Sequence, residues 1–169
     1  MPKELIICLG PICSGKTTWS KERIREDPKS YRFCFDEYLY MCTGRGEYNP
    51  IVADSIPSPI QSLLVRPGVD TVIVDGFPLN YGLLKRTINF RLTANAKATI
   101  RLFDVRFDEA IRRNVRRKST IGKFIEVEEM KNYLTKYKEF IKSPDFKLVA
   151  DGTNVIVSEF HDANMHMIT

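Results

Sequence analysis

Four residues separate Gly10 from Gly15, and Lys16 and Thr17 follow at once, giving G-x-x-x-x-G-K-T within "LGPICSGKTTWS". Glycines let the backbone turn tightly and aim successive N–H groups at one point, where they cradle phosphate oxygens. A helix beginning at Lys16 adds the positive end of its dipole. Lys16 then reaches the β- and γ-phosphates, and Thr17 offers its hydroxyl to Mg²⁺. The expected nucleotide contacts are therefore Gly10, Cys13, Ser14, Gly15, Lys16, Thr17 and Thr18. Cys13 has two readings, a thiol activated by nearby N–H groups or a small residue that fits, and the second is preferred. Such a loop is common to many nucleotide-handling proteins. The N-K-x-D motif of a GTPase is absent, since "NAKA" at Asn95–Ala98 lacks the acid, and no strand-end Asp-Glu pair marks a motor-type hydrolase.

Two carboxylates complement the loop. Asp36, in "FDEYLY", is placed to face a γ-phosphate across a cleft, where it can orient an acceptor hydroxyl and take its proton. Its competing reading is a helix cap before Tyr38. Glu37 is turned away if this stretch is a strand. Asp75, in "VIVDGFP", would hold Mg²⁺ through water or position a basic lid residue; its competing reading is an ordinary Asp-Gly turn. In "RRNVRRK", Arg113 and Arg117 share one helical face and Arg112 and Arg116 a neighbouring one. One stripe can close over a nucleotide and neutralise charge on a transferred phosphoryl group, leaving the other as a solvated face. "KSTIGK" supplies a flexible lid or hinge, so the lid spans approximately 112–126.

These residues need a scaffold that brings them together. The order read from the chain is a strand in "ELIICLG", a helix over Lys16–Glu26 and a strand in "YRFCFD". Glu37–Leu64 is then irregular, broken by Gly44, Gly46, Pro50, Pro57 and Pro59, with a short helix near Ile60–Val65. A buried strand in "DTVIVDG", a helix in "LNYGLLKRTINFRL" and a strand in "ATIRLFDV" come next. Helices over Asp108–Arg117 and Val127–Ile141, a fifth strand in "FKLVAD" and a short helix from Gly152 complete the series. Alternating strands and helices predict an α/β fold with a parallel sheet, which binds ligands at the carboxyl ends of its strands. Lys16, Asp36 and Asp75 all fall at such ends.

Composition sets the wider bounds. The 169 residues make one domain, over 1–169, with a net charge of +5 and a pI near 9.0 that suits a polyanionic partner. No apolar run is long enough to span a membrane. Cys8, Cys13, Cys34 and Cys42 form no C-x-x-C pair, and no secretory signal is evident, so a reduced, cytoplasmic protein is expected. No obligate protein partner is called for.

Taken in order, "GKTTWS", "FDEY", "VIVDGFPLN" and "RRNVRRK" resemble the kinase domain of the bacteriophage polynucleotide kinase family, over roughly residues 4–140. The resemblance implies a P-loop NTPase fold with a five-stranded parallel sheet flanked by helices, an arginine-rich lid, and ATP and Mg²⁺ as cofactors. It implies Asp36 as general base, Arg117 on the transferred phosphate with Arg113 assisting, and Asp75 holding lid and substrate. A phage origin would place the protein in the host cytoplasm. The family motif runs D-D-Y-R, whose Arg meets an acceptor phosphate; here Leu39 occupies that position, with Arg45 as a substitute and Tyr38 beside it. The implied partner is a nucleic acid, DNA before RNA, phosphorylated at a 5′-hydroxyl. A hydroxymethyl pyrimidine within DNA is the first alternative acceptor, with Tyr38, Tyr40, Tyr48 and Phe77 available to stack on a flipped base. A nucleoside monophosphate is the second, because "DGFP" also resembles the adenylate kinase family. A nucleotide-sensing switch is the non-enzymatic alternative, and it leaves Asp36 and the arginines without a task.

Overall fold

Strand β3 (Thr71–Asp75, TVIVD) is buried at every position, as befits a strand covered on both faces. It lies between β2 (Ser30–Cys34) and β1 (Glu4–Leu9). Strands β4 (Lys97–Asp104) and β5 (Asn154–Glu159) extend the sheet beyond β1. All neighbours are parallel, in the order β2-β3-β1-β4-β5. The computed structural model describes residues 2–45, 48–121 and 124–159. A parallel sheet needs a crossover between successive strands, and each crossover here contains a helix. The carboxyl ends of the strands therefore share one edge.

The larger core layer packs Leu5, Ile7, Leu9, Val72, Val74 and Ile100 of the sheet against α4 (Pro57–Leu64), α5 (Tyr81–Ala94), α7 (Val127–Lys142) and α8 (Pro144–Ala150). On the other face, Ile6, Cys8, Ile73 and Phe103 meet Trp19 and Ile24 of α1 (Lys16–Glu26). The Arg101 guanidinium lies 4.3 Å over the Trp19 ring, a cation–π contact that screens the edge of this smaller layer. Helix α6 (Phe107–Ile121) runs from the end of β4 back across the loop that follows β1. Among the described residues, no helix is long and apolar enough to cross a membrane.

Several local expectations are corrected. The second strand stops at Cys34, and Phe35–Thr43 is helix α2 rather than an extension of the strand followed by irregular chain. Phe35 and Leu39, one turn apart, are both buried, while Asp36 and Glu37 sit in the first turn, where the helix dipole favours acids. The rest of the stretch expected to be irregular contains α3 (Pro50–Ser55) and α4. Pro50 and Pro57 begin these helices instead of breaking them, and Asn49 Oδ1 caps α3 by accepting from Ile51 N at 3.0 Å. "FKLVAD" is helix α8, not the fifth strand: Ser143 Oγ accepts from Phe146 N at 3.0 Å, Pro144 opens the helix, and Phe146 packs on Phe140. The segment after Gly152, read as a helix, is instead β5, paired with β4. In the expected lid, α6 is continuous to Ile121, residues 122–123 lie outside the described residues, and α7 starts at Val127.

Leu39 is only 2% exposed, so the position where the resembling family carries an arginine points into the core. Leu39→Arg should therefore not add an acceptor contact but bury an unpaired guanidinium, costing about 3 kcal/mol or more. Chemical denaturation measures this; a variant as stable as the parent would show that this face of α2 opens to solvent.

Candidate active site

The loop between β1 and α1 is held tightly from behind. A methyl group on Gly10 would lie 2.8 Å from Phe103 Cβ, Phe103 O and Ser14 Oγ, so this position tolerates no side chain. Gly15 has φ 94° and Cys13 φ 62°, both left-handed, and their turns bring the chain round into α1. No side chain caps α1, which leaves its first N–H groups and dipole facing the loop. Thr17 and Thr18 are exposed on the first turn, whereas Ser14 is fully buried.

Lys16 folds back into the loop. Its Nζ donates to Gly10 O at 2.7 Å, Pro11 O at 2.6 Å and Ser14 Oγ at 3.2 Å. Burial lowers its pKa to about 8, against the opposing pull of Asp75, Cys8 and Asp36. Burial also raises the Cys13 thiol, outweighing Arg117, Lys16 and Arg113, so the cysteine stays protonated at neutral pH.

Helix α6 brings its arginines to the same loop. Arg113 Nη1 donates to Cys13 O at 3.3 Å while its Nε donates to Glu109 Oε1 at 2.7 Å. Arg117, partly buried, donates to Asn114 Oδ1 at 3.4 Å, and its buried Nε has no hydrogen-bond partner among the described residues. The other stripe faces outward: Arg112 is exposed and pairs with Glu109, and Arg116 is exposed. Asn114, fully buried, grips the start of the segment before α7 by donating to Ile125 O at 2.6 Å and accepting from Ile125 N at 3.2 Å. Its signal was visible in "RRNVRRK" as the one uncharged polar residue inside the arginine run.

The carboxylates occupy the facing wall. Asp75 is fully buried; its Oδ1 accepts from Gly76 N at 2.8 Å, and its Oδ2 accepts from Arg32 Nη2 at 2.9 Å and Ser20 Oγ at 3.2 Å. Asp36 is exposed on the first turn of α2 and lies directly against Gly76, where an added Cβ would come within 2.8 Å of its Oδ2. Gly76 has φ 68°, so both its backbone and its missing side chain admit the carboxylate. On α7, burial pushes the Tyr133 hydroxyl up to about 12, with the Asp36 charge adding to the shift.

The remaining acceptor-side candidates divide. Tyr38 packs on Phe33 at 5.2 Å, and its hydroxyl meets Ser55 Oγ at 3.3 Å. Phe77 is core, at 3% exposure. Tyr40 is exposed one turn beyond Asp36, and exposed Tyr48 lies parallel to Phe35 at 6.5 Å. Arg45 is exposed just past the end of α2, its backbone tied to Thr43 Oγ1. Glu37, expected to turn away on a strand, lies instead on α2 and meets Arg32; Arg32 and Ser20 carried no signal in the sequence, because their positions acquire meaning only when β2, β3, α1 and α2 meet.

No protein-family model matches this chain, and no curated protein matches its sequence. Solved structures do. Over 82% of its length, the chain superposes on a chain of the Pnkp1/Rnl/Hen1 RNA repair complex, with a TM-score of 0.66 and 21% identity. It spans 45% of that chain, less than half its length. Kti12 of Chaetomium thermophilum, in complex with ADP-AlF3, aligns with 95% of this chain over 91% of its own, with a TM-score of 0.62 and 15% identity. The fold is that of the P-loop NTPases. The deoxyadenosine kinase of M. mycoides, solved with products dCMP and dCDP, aligns with 91% of this chain over 89% of its own, at a TM-score of 0.52 and 16% identity.

The P-loop lysine yields a pH test. Free Lys16 loses its proton as pH rises through about 8, whereas a bound polyphosphate favours the ammonium. ATP affinity should therefore fall by up to about tenfold per pH unit above that value, with proton uptake on binding. Calorimetry in buffers of different ionisation enthalpy reads both, and an affinity that stays flat up to pH 9.5 would remove the Lys16 ammonium from the contact.

Proposed function

We propose that this protein transfers the γ-phosphoryl group of ATP to a hydroxyl of a nucleic acid, in the manner of a polynucleotide 5′-hydroxyl kinase. The observation that carries the reading is Asp36, set against Gly76 at the sheet edge that also holds the P-loop. A carboxylate there is suited to orient an acceptor hydroxyl and accept its proton as the oxygen bonds to the γ-phosphorus and the bond to the ADP oxygen breaks. Gly10, Cys13, Ser14, Gly15, Lys16, Thr17 and Thr18 form the phosphate cradle in this reading. Lys16 exchanges loop carbonyls for phosphate oxygens. The buried Arg117 Nε, a donor without a partner among the described residues, suits an anion arriving beside the loop, and Arg113 supports the same face.

The residues fit Mg²⁺ in part. Exposed Thr17 at the head of α1 suits a direct contact, while Asp75, with both oxygens engaged by protein, suits only a contact through water. When bound, the ion neutralises phosphate charge.

In this reading Asp36, Tyr38, Arg45 and Asp75 are the acceptor-side residues, and exposed Tyr40 and Tyr48 offer faces for stacking bases. The phage-type motifs favour DNA; the likeness to a chain of an RNA repair complex brings in RNA. A second reading, phosphorylation of a hydroxymethyl pyrimidine within DNA, is favoured by Leu39 being core, since α2 then offers no cation at that position for a 5′-end phosphate. The likeness to a deoxyadenosine kinase supports a third, a nucleotide-sized acceptor.

Labelled γ-phosphate should pass from ATP to a 5′-hydroxyl oligonucleotide, assayed beside a 5′-blocked duplex with internal hydroxymethyl pyrimidines and beside nucleoside monophosphates. Label only on the duplex selects the second reading, and label only on monophosphates ends the nucleic-acid one. Asp36→Asn should lower turnover by about 100-fold or more while ATP affinity changes less than about twofold. Equal loss of both would make Asp36 a structural residue.

A further inference from the structure

Arg32 sits on β2, separated by β3 from the strand that leads into the P-loop, yet its guanidinium joins three elements: α1, β3 and α2. Nε donates to Ser20 Oγ of α1 at 3.1 Å and to Asp75 Oδ2 at 3.3 Å; Nη2 donates to Asp75 Oδ2 at 2.9 Å and to Glu37 Oε1 at 3.2 Å. Nη1 completes the grip on Glu37, donating to Oε1 at 3.1 Å and to Oε2 at 3.0 Å. Its side chain is only 8% exposed, whereas that of Glu37 is 60% exposed.

We propose that Arg32 is a positioning residue for the acceptor-side carboxylate: anchored on Asp75 and Ser20, it grips Glu37 and so holds the first turn of α2 with Asp36 against Gly76. The inference rests on reading Asp36 as the base. An ion pair with an exposed carboxylate contributes little to stability, so the arm towards Glu37 is not explained by holding the sheet together. It does fix one helical residue adjacent to Asp36, and misplacing a reacting group by about an ångström can cost about 100-fold in rate. The work calls for arginine. Its planar fork meets two carboxylates and a hydroxyl at once, whereas a lysine in its place would keep the charge and lose the second grip.

The full chain tests this with Glu37→Gln, which breaks the grip from the exposed side, and Arg32→Lys, which keeps a cation beside Asp75. Turnover on a 5′-hydroxyl DNA oligonucleotide should fall about tenfold or more in both, with the KM for ATP within about twofold. Amide exchange over residues 35–43 should quicken in Glu37→Gln at an unchanged melting temperature. In an Asp36→Asn background, Glu37→Gln should produce no further loss. Turnover and α2 exchange at parent levels in Glu37→Gln would overturn the proposal, as would a loss that adds to that of Asp36→Asn. If the parent protein labels no acceptor, or Asp36→Asn is fully active, the proposed function fails instead. The exchange rates then decide the grip alone: quickened exchange upholds it and unchanged exchange overturns it.

Discussion

A carboxylate with no exposure to water stands at the end of β3, and the architecture of the cleft follows from how it is satisfied. Left unpaired, a buried charge of this kind would neutralise itself or unfold the site. Asp75 instead receives a backbone N–H, a hydroxyl and a guanidinium from three directions. Each donor belongs to a different part of the chain. Ser20 ties in the helix behind the P-loop, Gly76 the turn after β3, and Arg32 the neighbouring strand. Because Arg32 also reaches Glu37, the requirement to neutralise one buried acid becomes a constraint on where α2 begins. Asp36, next in sequence to Glu37, inherits that constraint.

The opposite wall is organised by hydrogen bonds of the loop to itself. Lys16 satisfies two loop carbonyls and the Ser14 hydroxyl, and Arg113 takes the Cys13 carbonyl from outside. These bonds fix the course of the loop between β1 and α1. Lys16, Arg113 and Arg117 gather on the loop and α6 side, and Asp36 and Asp75 on the side of β3 and α2, where Arg32 neutralises Asp75. Such a polarised cleft suits a reaction in which a polyanion is held on one wall and a hydroxyl gives up its proton on the other.

Much of this was legible in the chain. The spacing of Gly10, Gly15, Lys16 and Thr17 marks the loop, because a backbone cradle is a local object whose geometry a few adjacent residues dictate. The apolar run before Asp75 marks a doubly covered strand for a similar reason. Short apolar stretches misled where either periodicity fitted. "FKLVAD" has strand-like composition, yet the Ser143 cap, Pro144 and the packing of Phe146 against Phe140 make it a helix. "FDEY" follows a strand without a break, and only the burial of Phe35 together with Leu39 turns it into the first turn of α2.

The sequence by itself therefore determined the glycine-rich loop between β1 and α1, the alternation of strands and helices and the shared face of Arg113 and Arg117, since each depends on neighbours within a turn or two. The tertiary structure alone decided that Leu39 faces the core, that β5 is the 154–159 segment, and that Arg32 bridges Asp75 and Glu37. Those outcomes depend on which distant segments pack together: Arg32 and Asp75 are 43 residues apart in the chain and 2.9 Å apart in space.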